Sequence, residues 1–231
     1  MTRLKGINSC TVGDSQLSCF DELTDTETDL IDSNMLEVDY QRGESICKQG
    51  TFASHIMVLK NGLAKIYMEG NNDSVILKIL PGSNIIGLPI LYEGNNVFQY
   101  SAQAYMKSTV QLIEINTFKQ LLNTNAKFSA KIISMQSENS VITYGRFFCL
   151  TKKQTNGRLA DILLCLSQRI YKLDKFPLQL NRRELAELSG MSVESTARIL
   201  TKFKDDGLIE ITPSSIEILD FDRLNLISQN G

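Results

Sequence analysis

With 231 residues, 42% of them hydrophobic and a net charge of only -2, the chain suits one large domain or two modest ones and lacks the strong basic excess of a general nucleic-acid binder. Its apolar stretches are short and interrupted by Lys, Asn or Gly, which excludes a membrane-spanning helix and a membrane partner. Residues 1–14 have no apolar core and no small-residue cleavage site, so no secretory signal is expected and the expected compartment is cytoplasmic.

In chain order, residues 21–35 read as a short helix. Gly and Asn then punctuate the sequence at Gly43, Gly50, Asn61-Gly62, Gly70-Asn71-Asn72, Gly82, Gly87 and Gly94-Asn95-Asn96. The runs between them, at 55–59, 63–68, 75–80 and 110–115, are strand-length, partly alternating and bounded by turns, as in an antiparallel barrel or sandwich. Asn61-Gly62 is a strong hairpin signal, because both residues tolerate positive φ. After Asn116 glycine becomes rare, and Phe128, Ile132, Met135, Asn139 and Ile142 recur at a 4-3 spacing, with Arg146 and Cys149 on the same line. That pattern predicts a long helix with a heptad-like seam. The seam either packs on its own barrel or pairs two copies of the chain. Dimerisation is the reading favoured here, with Asn139 setting register and Ile133, Val141 and Phe148 free to cover the barrel side.

The polar segment 151–157 is a hinge, followed by an amphipathic helix over 158–172 with Leu159, Ile162, Leu163, Leu166 and Ile170 on one stripe. Asn181 is a good N-cap, and Glu184 completes a capping box. Leu185, Ala186 and Leu188 form a short apolar face that ends at Gly190, whose positive φ suits the turn. Ser192 caps a second helix, in which Ala197, Ile199, Leu200 and Phe203 can bury before Gly207 stops it. Two short helices joined by such a turn form a helix-turn-helix, and a hairpin over 208–218, turning at 212–215, supplies a wing. From Lys152 to Lys204 there are eleven basic against five acidic residues, a local positive face of the kind that meets phosphates.

The start of the second helix would enter the major groove of double-stranded promoter DNA. Val193, Glu194, Ser195 and Arg198 are the candidate base contacts: Glu194 can accept from a cytosine amine and Arg198 can make a bidentate bond to guanine. Arg182, Arg183, Ser192, Lys202 and Lys204 are the candidate phosphate contacts. The plainer alternative is a surface helix whose Glu194 and Arg198 simply pair at i, i+4.

The order of these elements, with Arg42-Gly43-Glu44, Gln49-Gly50, Leu59-Lys60-Asn61-Gly62, Leu80-Pro81-Gly82 and Ile86-Gly87, resembles the Crp/Fnr family of bacterial transcription regulators between Phe20 and Phe221. The resemblance implies an α+β chain of three parts. These are an N-terminal antiparallel β-roll of the double-stranded β-helix or jelly-roll type (1–116), a long central dimerisation helix (117–151) and a C-terminal winged helix-turn-helix (152–231). It further implies a homodimer that reads a palindromic site, an encounter with RNA polymerase, and a small-molecule effector in a pocket that takes in Gly87, Leu88, Pro89, Tyr100, Ser101, Thr143 and Tyr144. By position, Glu194, Ser195 and Arg198 match the family's base-reading residues.

Cyclic-AMP binders of the family carry a Glu after the cassette glycine and an Arg-Ser pair further on, where this chain has Leu88-Pro89 and Tyr100-Ser101. The sequence therefore speaks against cyclic AMP. Five cysteines (Cys10, Cys19, Cys47, Cys149, Cys165), with no CxxC pair, lack the spacing of an iron-sulfur cluster and are expected as reduced thiols; thiol sensing by Cys10 or Cys19 is a weaker alternative to inert side chains. The sole histidine, His55, stands at a strand start, which argues against haem as well as against a His-based catalytic set. Neither a Gly-rich phosphate loop nor a nucleophile elbow is present, so no enzyme is expected. The competing reading is a ligand-binding sensor that has lost DNA binding, favoured only by Val193 where the cyclic-AMP branch has an Arg.

Overall fold

The computed structural model describes residues 17–71 and 74–231. Cys10 and the Asn72 end of the 70–72 turn lie outside that set. The chain divides into two compact units, one ending at Ser140 and the other comprising Val141–Gly231.

The first unit begins with a 3-10 turn (Leu17–Glu22) and helix α1 (Asp25–Ser33), where the sequence suggested one helix over 21–35. The break is a capping box: Thr24 Oγ1 accepts from Glu27 N, and Glu27 accepts from Thr24 N, so the helix starts at Asp25. Eight strands follow: β1 (Met35–Tyr40), β2 (Ser45–Cys47), β3 (His55–Asn61), β4 (Leu63–Glu69), β5 (Ser74–Pro81), β6 (Asn84–Ile86), β7 (Ser101–Ala104) and β8 (Ser108–Glu114). They form two antiparallel four-stranded sheets, ordered β1-β8-β3-β6 and β2-β7-β4-β5. Ile56 and Val58 of one sheet and Ala64, Ile66 and Ala102 of the other share a single apolar core. The β3–β4 hairpin turns at Gly62, whose φ is +97°; a Cβ there would fall 2.2 Å from Ser108 Oγ, so only glycine fits.

Helices α2 (Ile115–Thr124) and α3 (Ala126–Lys152) come next. Asn125 joins them, its Oδ1 accepting from Phe128 N at 2.9 Å. At Phe128, Ile132 and Met135 the seam expected between two copies on α3 is taken up by the chain's own core, that of the first unit. Phe128 stands edge-on to Phe118 at 5.3 Å, and Ile142 is buried as well. Asn139 accepts from Lys78 Nζ at 3.5 Å. Ile133, Val141 and Phe148, which were assigned to the barrel side, are instead exposed, together with Tyr144 and Phe147. The helix carries two apolar stripes, and spacing alone cannot say which of them meets the chain's own core.

The second unit holds α4 (Thr155–Cys165), which loosens into a π-turn (Leu166–Tyr171), then β9 (Lys175–Pro177), α5 (Arg182–Ser189), α6 (Val193–Asp205), β10 (Ile209–Ile211), β11 (Ser215–Ile218) and α7 (Phe221–Asn230). The wing is a three-stranded antiparallel sheet ordered β10-β11-β9, one strand more than the hairpin read from the sequence. Asp161 of α4 is buried and accepts from Lys153 Nζ at 2.7 and 2.8 Å, from Cys149 Sγ at 3.1 Å and from Ser228 Oγ of α7. Cys19, Cys47 and Cys149 are buried thiols, whereas Cys165 is disulfide-bonded, against the expectation of thiols throughout. Among the described residues no helix is long and apolar enough to cross a membrane.

Candidate DNA-reading site and sensor pocket

Local chemistry dictates the α5-turn-α6 geometry. Asn181 Oδ1 accepts from Glu184 N at 2.9 Å and Glu184 Oε2 accepts from Asn181 N at 3.0 Å, which starts α5. The helix ends on Gly190, left-handed at φ 60° and ψ 45°, with Met191 N donating to Ala186 O at 3.0 Å. Ser192 Oγ then accepts from Ser195 N at 3.1 Å and opens α6.

The inner face of α6 buries Thr196, Ile199, Leu200 and Phe203. Thr196 takes the place expected of Ala197, which is only partly buried, and donates its hydroxyl to Ser192 O at 3.0 Å. On the outer face Val193, Glu194 and Arg198 are exposed and Ser195 is half-buried, on the arc that the sequence nominated. No ion pair joins Glu194 to Arg198 among the described residues, so both side chains project into solvent with their hydrogen-bonding capacity free. Ser195 Oγ accepts from Ser192 Oγ at 3.0 Å.

The candidate phosphate contacts fall into two groups. Arg182 and Lys202 are exposed. Arg183 instead pairs with Glu187 at 3.1 Å and Lys204 with Glu210 at 2.8 Å; exposed pairs of this kind are weak and exchangeable. Two cations that the sequence did not single out for this site point to the turn itself: Arg146 Nη2 donates to Leu188 O, and Arg158 Nη1 donates to Gly190 O at 3.0 Å.

In the β-roll, Gly87 caps a 3-10 turn (Leu88–Leu91) that carries Pro89, and its N–H donates to Tyr100 Oη at 2.8 Å. Burial pushes the Tyr100 hydroxyl well above the ordinary phenol range. Ser101 Oγ is also committed, donating to Glu69 Oε1 and accepting from Gln49 N, both at 3.0 Å. Thr143 and Tyr144, which the sequence reading added to this pocket, are exposed on α3 in the second unit. Lys78, not singled out from the sequence, lies across from Ile66 in the β4–β5 register and therefore shares its inward face. Burial lowers its pKa to about 8. His55 Nδ1 is hydrogen-bonded to Ser54 Oγ at 2.8 Å. No three His, Cys, Asp or Glu side chains gather as metal ligands would among the described residues.

Comparison with known proteins follows the same division. The family model of the cyclic nucleotide-binding domain matches residues 37–125, and that of the Crp-like helix-turn-helix domain matches residues 157–227. Electron transport regulator A of Shewanella oneidensis is 28% identical over 83% of this chain and 78% of its own length. The fumarate and nitrate reduction regulatory protein of Escherichia coli is 24% identical over 91% of this chain and 86% of its own. The structure of FixK2 from Bradyrhizobium japonicum shares the fold, with a TM-score of 0.75 at 18% identity, covering 84% of this chain and 96% of that one. Two-sheet roll, long helix and winged reader thus occur in the order, and with the domain matches, of one group of DNA-binding regulators: the chain belongs to the Crp/Fnr family of transcription regulators.

Proposed function

We propose that this chain works as a homodimer on a two-fold symmetric promoter site, reading bases through Glu194, Ser195 and Arg198, with Val193 against the groove wall. The observation that carries the reading is the outer arc of α6, exposed and free of internal ion pairs on a helix whose other face is fully packed. With the Glu194–Arg198 pair open, both exposed side chains are available to base edges. Pairing of two copies is supported by the exposed row on α3, where Ile133 and Tyr144 are 66% and 70% exposed, far more than isolated large apolar side chains need to be. Contact with RNA polymerase is the expected output, and no catalytic role is assigned.

For the signal, we infer a ligand chemistry other than cyclic AMP. A cyclic phosphate needs a fixed cation and free helix-end amides. Here the Gly87 amide is spent on Tyr100, and the following residues are Leu88 and Pro89. Haem through His55 and a cluster through Cys19 and Cys47 find no support in a hydrogen-bonded imidazole and two buried thiols.

The test is in vitro selection of duplexes by the purified chain, followed by titration of the winner at several salt concentrations. Binding should weaken steeply with salt as counterions are displaced. Arg198→Ala should cost about 1–3 kcal/mol and relax preference at one base pair per half-site. If no duplex is enriched, or if affinity ignores both salt and Arg198, the sensor-only reading replaces this one.

A further inference from the structure

Arg146 lies on α3, the helix whose early turns carry the core residues Phe128 and Ile132. The residue is buried, 8% exposed, and its guanidinium is not paired with a carboxylate among the described residues; Nη2 donates to Leu188 O and Nη1 has no hydrogen-bond partner among them. Leu188 O is one of the carbonyls that the end of α5 leaves without a helical partner. Arg158, from α4, reaches Gly190 O two residues on. Between them Leu150 of α3 closes on the turn, for a Cβ on Gly190 would come within 2.9 Å of Leu150 Cδ2 and 3.3 Å of Arg158 Nη1. Three side chains from two helices therefore converge on the turn that joins α5 to α6.

Burying an arginine without a carboxylate is unfavourable; here Nη2 goes to the negative end of a helix, while Nη1 is left unsatisfied among the described residues. A residue kept only for packing would not need a guanidinium. We propose that Arg146 is a positioning residue for DNA reading: from the long helix it pins the turn at Leu188, with Arg158 as the second jaw at Gly190, and so sets the angle at which α6 presents Glu194 and Arg198. The inference rests on α6 being the reading helix.

Phosphate contacts tolerate a tilted α6, because they come from flexible chains around the helix, whereas bidentate base contacts do not. Arg146→Met and Arg146→Lys are therefore compared with the wild type in the full chain. Two duplexes serve as probes: one selected by the wild-type protein and a scrambled version of it. Amide hydrogen exchange follows the second unit. The expected result for Arg146→Met is about a tenfold loss of affinity for the selected duplex, in line with the loss of one charge-assisted hydrogen bond. Affinity for the scrambled duplex should stay unchanged, and exchange should accelerate at Gly190 and Met191 but not in β10 or β11. Arg146→Lys, which keeps a cation at the helix end, should recover part of the discrimination.

Equal loss on both duplexes, or faster exchange throughout the second unit, would mean a general stabilising role and overturn the proposal. So would an unchanged ratio between duplexes with unchanged turn amides. If the wild type itself failed to distinguish the two duplexes, the reading-helix assignment would fall, and Arg146 with it, while the exchange result would still report whether the clamp exists.

Discussion

Asp161→Ala probes the buried centre of the reader. The Asp161 side chain is 6% exposed and that of Lys153 is 16% exposed, with 2.7 Å between their charges. The substitution removes the acceptor of Lys153, of Ser228 and of the Cys149 thiol together. What remains is a largely buried ammonium with Ser228 Oγ at 3.5 Å but without a counter-charge, a defect worth about 3–5 kcal/mol. Against a typical domain stability of about 5–15 kcal/mol and a Tm response of about 4–8 °C per kcal/mol for a unit of this size, the melting transition of residues 141–231 should fall by at least about 12 °C. Scanning calorimetry on the full chain measures it. The companion double substitution, Asp161→Leu with Lys153→Met, removes both charges and should recover most of the loss, because matched apolar replacements of a buried pair are close to neutral. A single-variant cost below about 1 kcal/mol would refute the reasoning, since the pair would then be behaving as a surface one. A double variant no more stable than the single would refute it too, by showing that the charges are not what matters.

Further expectations concern the β-roll and the thiols. Tyr100→Phe strands the Gly87 amide, and should cost the first unit about 1–3 kcal/mol and speed hydrogen exchange at Gly87; unaltered exchange there would contradict the bond. Lys78→Met should stabilise the first unit at pH 7. The burial penalty on the charged lysine is fully present below the folded pKa of about 8 and disappears as pH climbs to the ordinary 10.5, so the gain should shrink over that window; an equal gain at pH 7 and pH 10.5 would show that charge is irrelevant. Cys19, Cys47 and Cys149 have their pKa pushed up to about 12 by burial, so iodoacetamide at pH 8 should leave them unmodified in the native chain. The same raised values mean that stability should decline as pH rises from about 9 towards 12, where the unfolded chain ionises first.

Much of the reader was legible because its signals are local. Asn181 with Glu184, Gly190 and Ser192 each act within four residues, and the structure uses them as the sequence suggests. Strands β3, β4, β5 and β8 were legible for the same reason, being long enough to show alternation between clear turns. Strands β2 and β6, at three residues each, were not. The α3 stripe at Phe128, Ile132 and Met135 was found, but its partner was misjudged, because a periodic pattern identifies a buried face without naming what buries it. Strand β9 sits beyond a π-turn that no residue pattern announces. Arg146 was visible only as a polar interruption of a seam. Its partner is 42 residues away and is a main-chain carbonyl, to which any residue type contributes alike. Cys165 was misread because compartment, not geometry, set the expectation.

Tyr100 bears on how the sensor could be addressed at all. Its phenol oxygen occupies the amide that a bound anion would seek, and it is tethered thirteen residues from that amide by the chain itself. A tethered group competes at an effective concentration on the order of millimolar or more, so any small molecule aimed at the same amide faces a rival that never diffuses away. Its apparent affinity falls by the fraction of time the ring stands aside. In the sensor role proposed above, a ligand for this domain would have to displace the Tyr100 ring from the Gly87 amide or leave that amide alone.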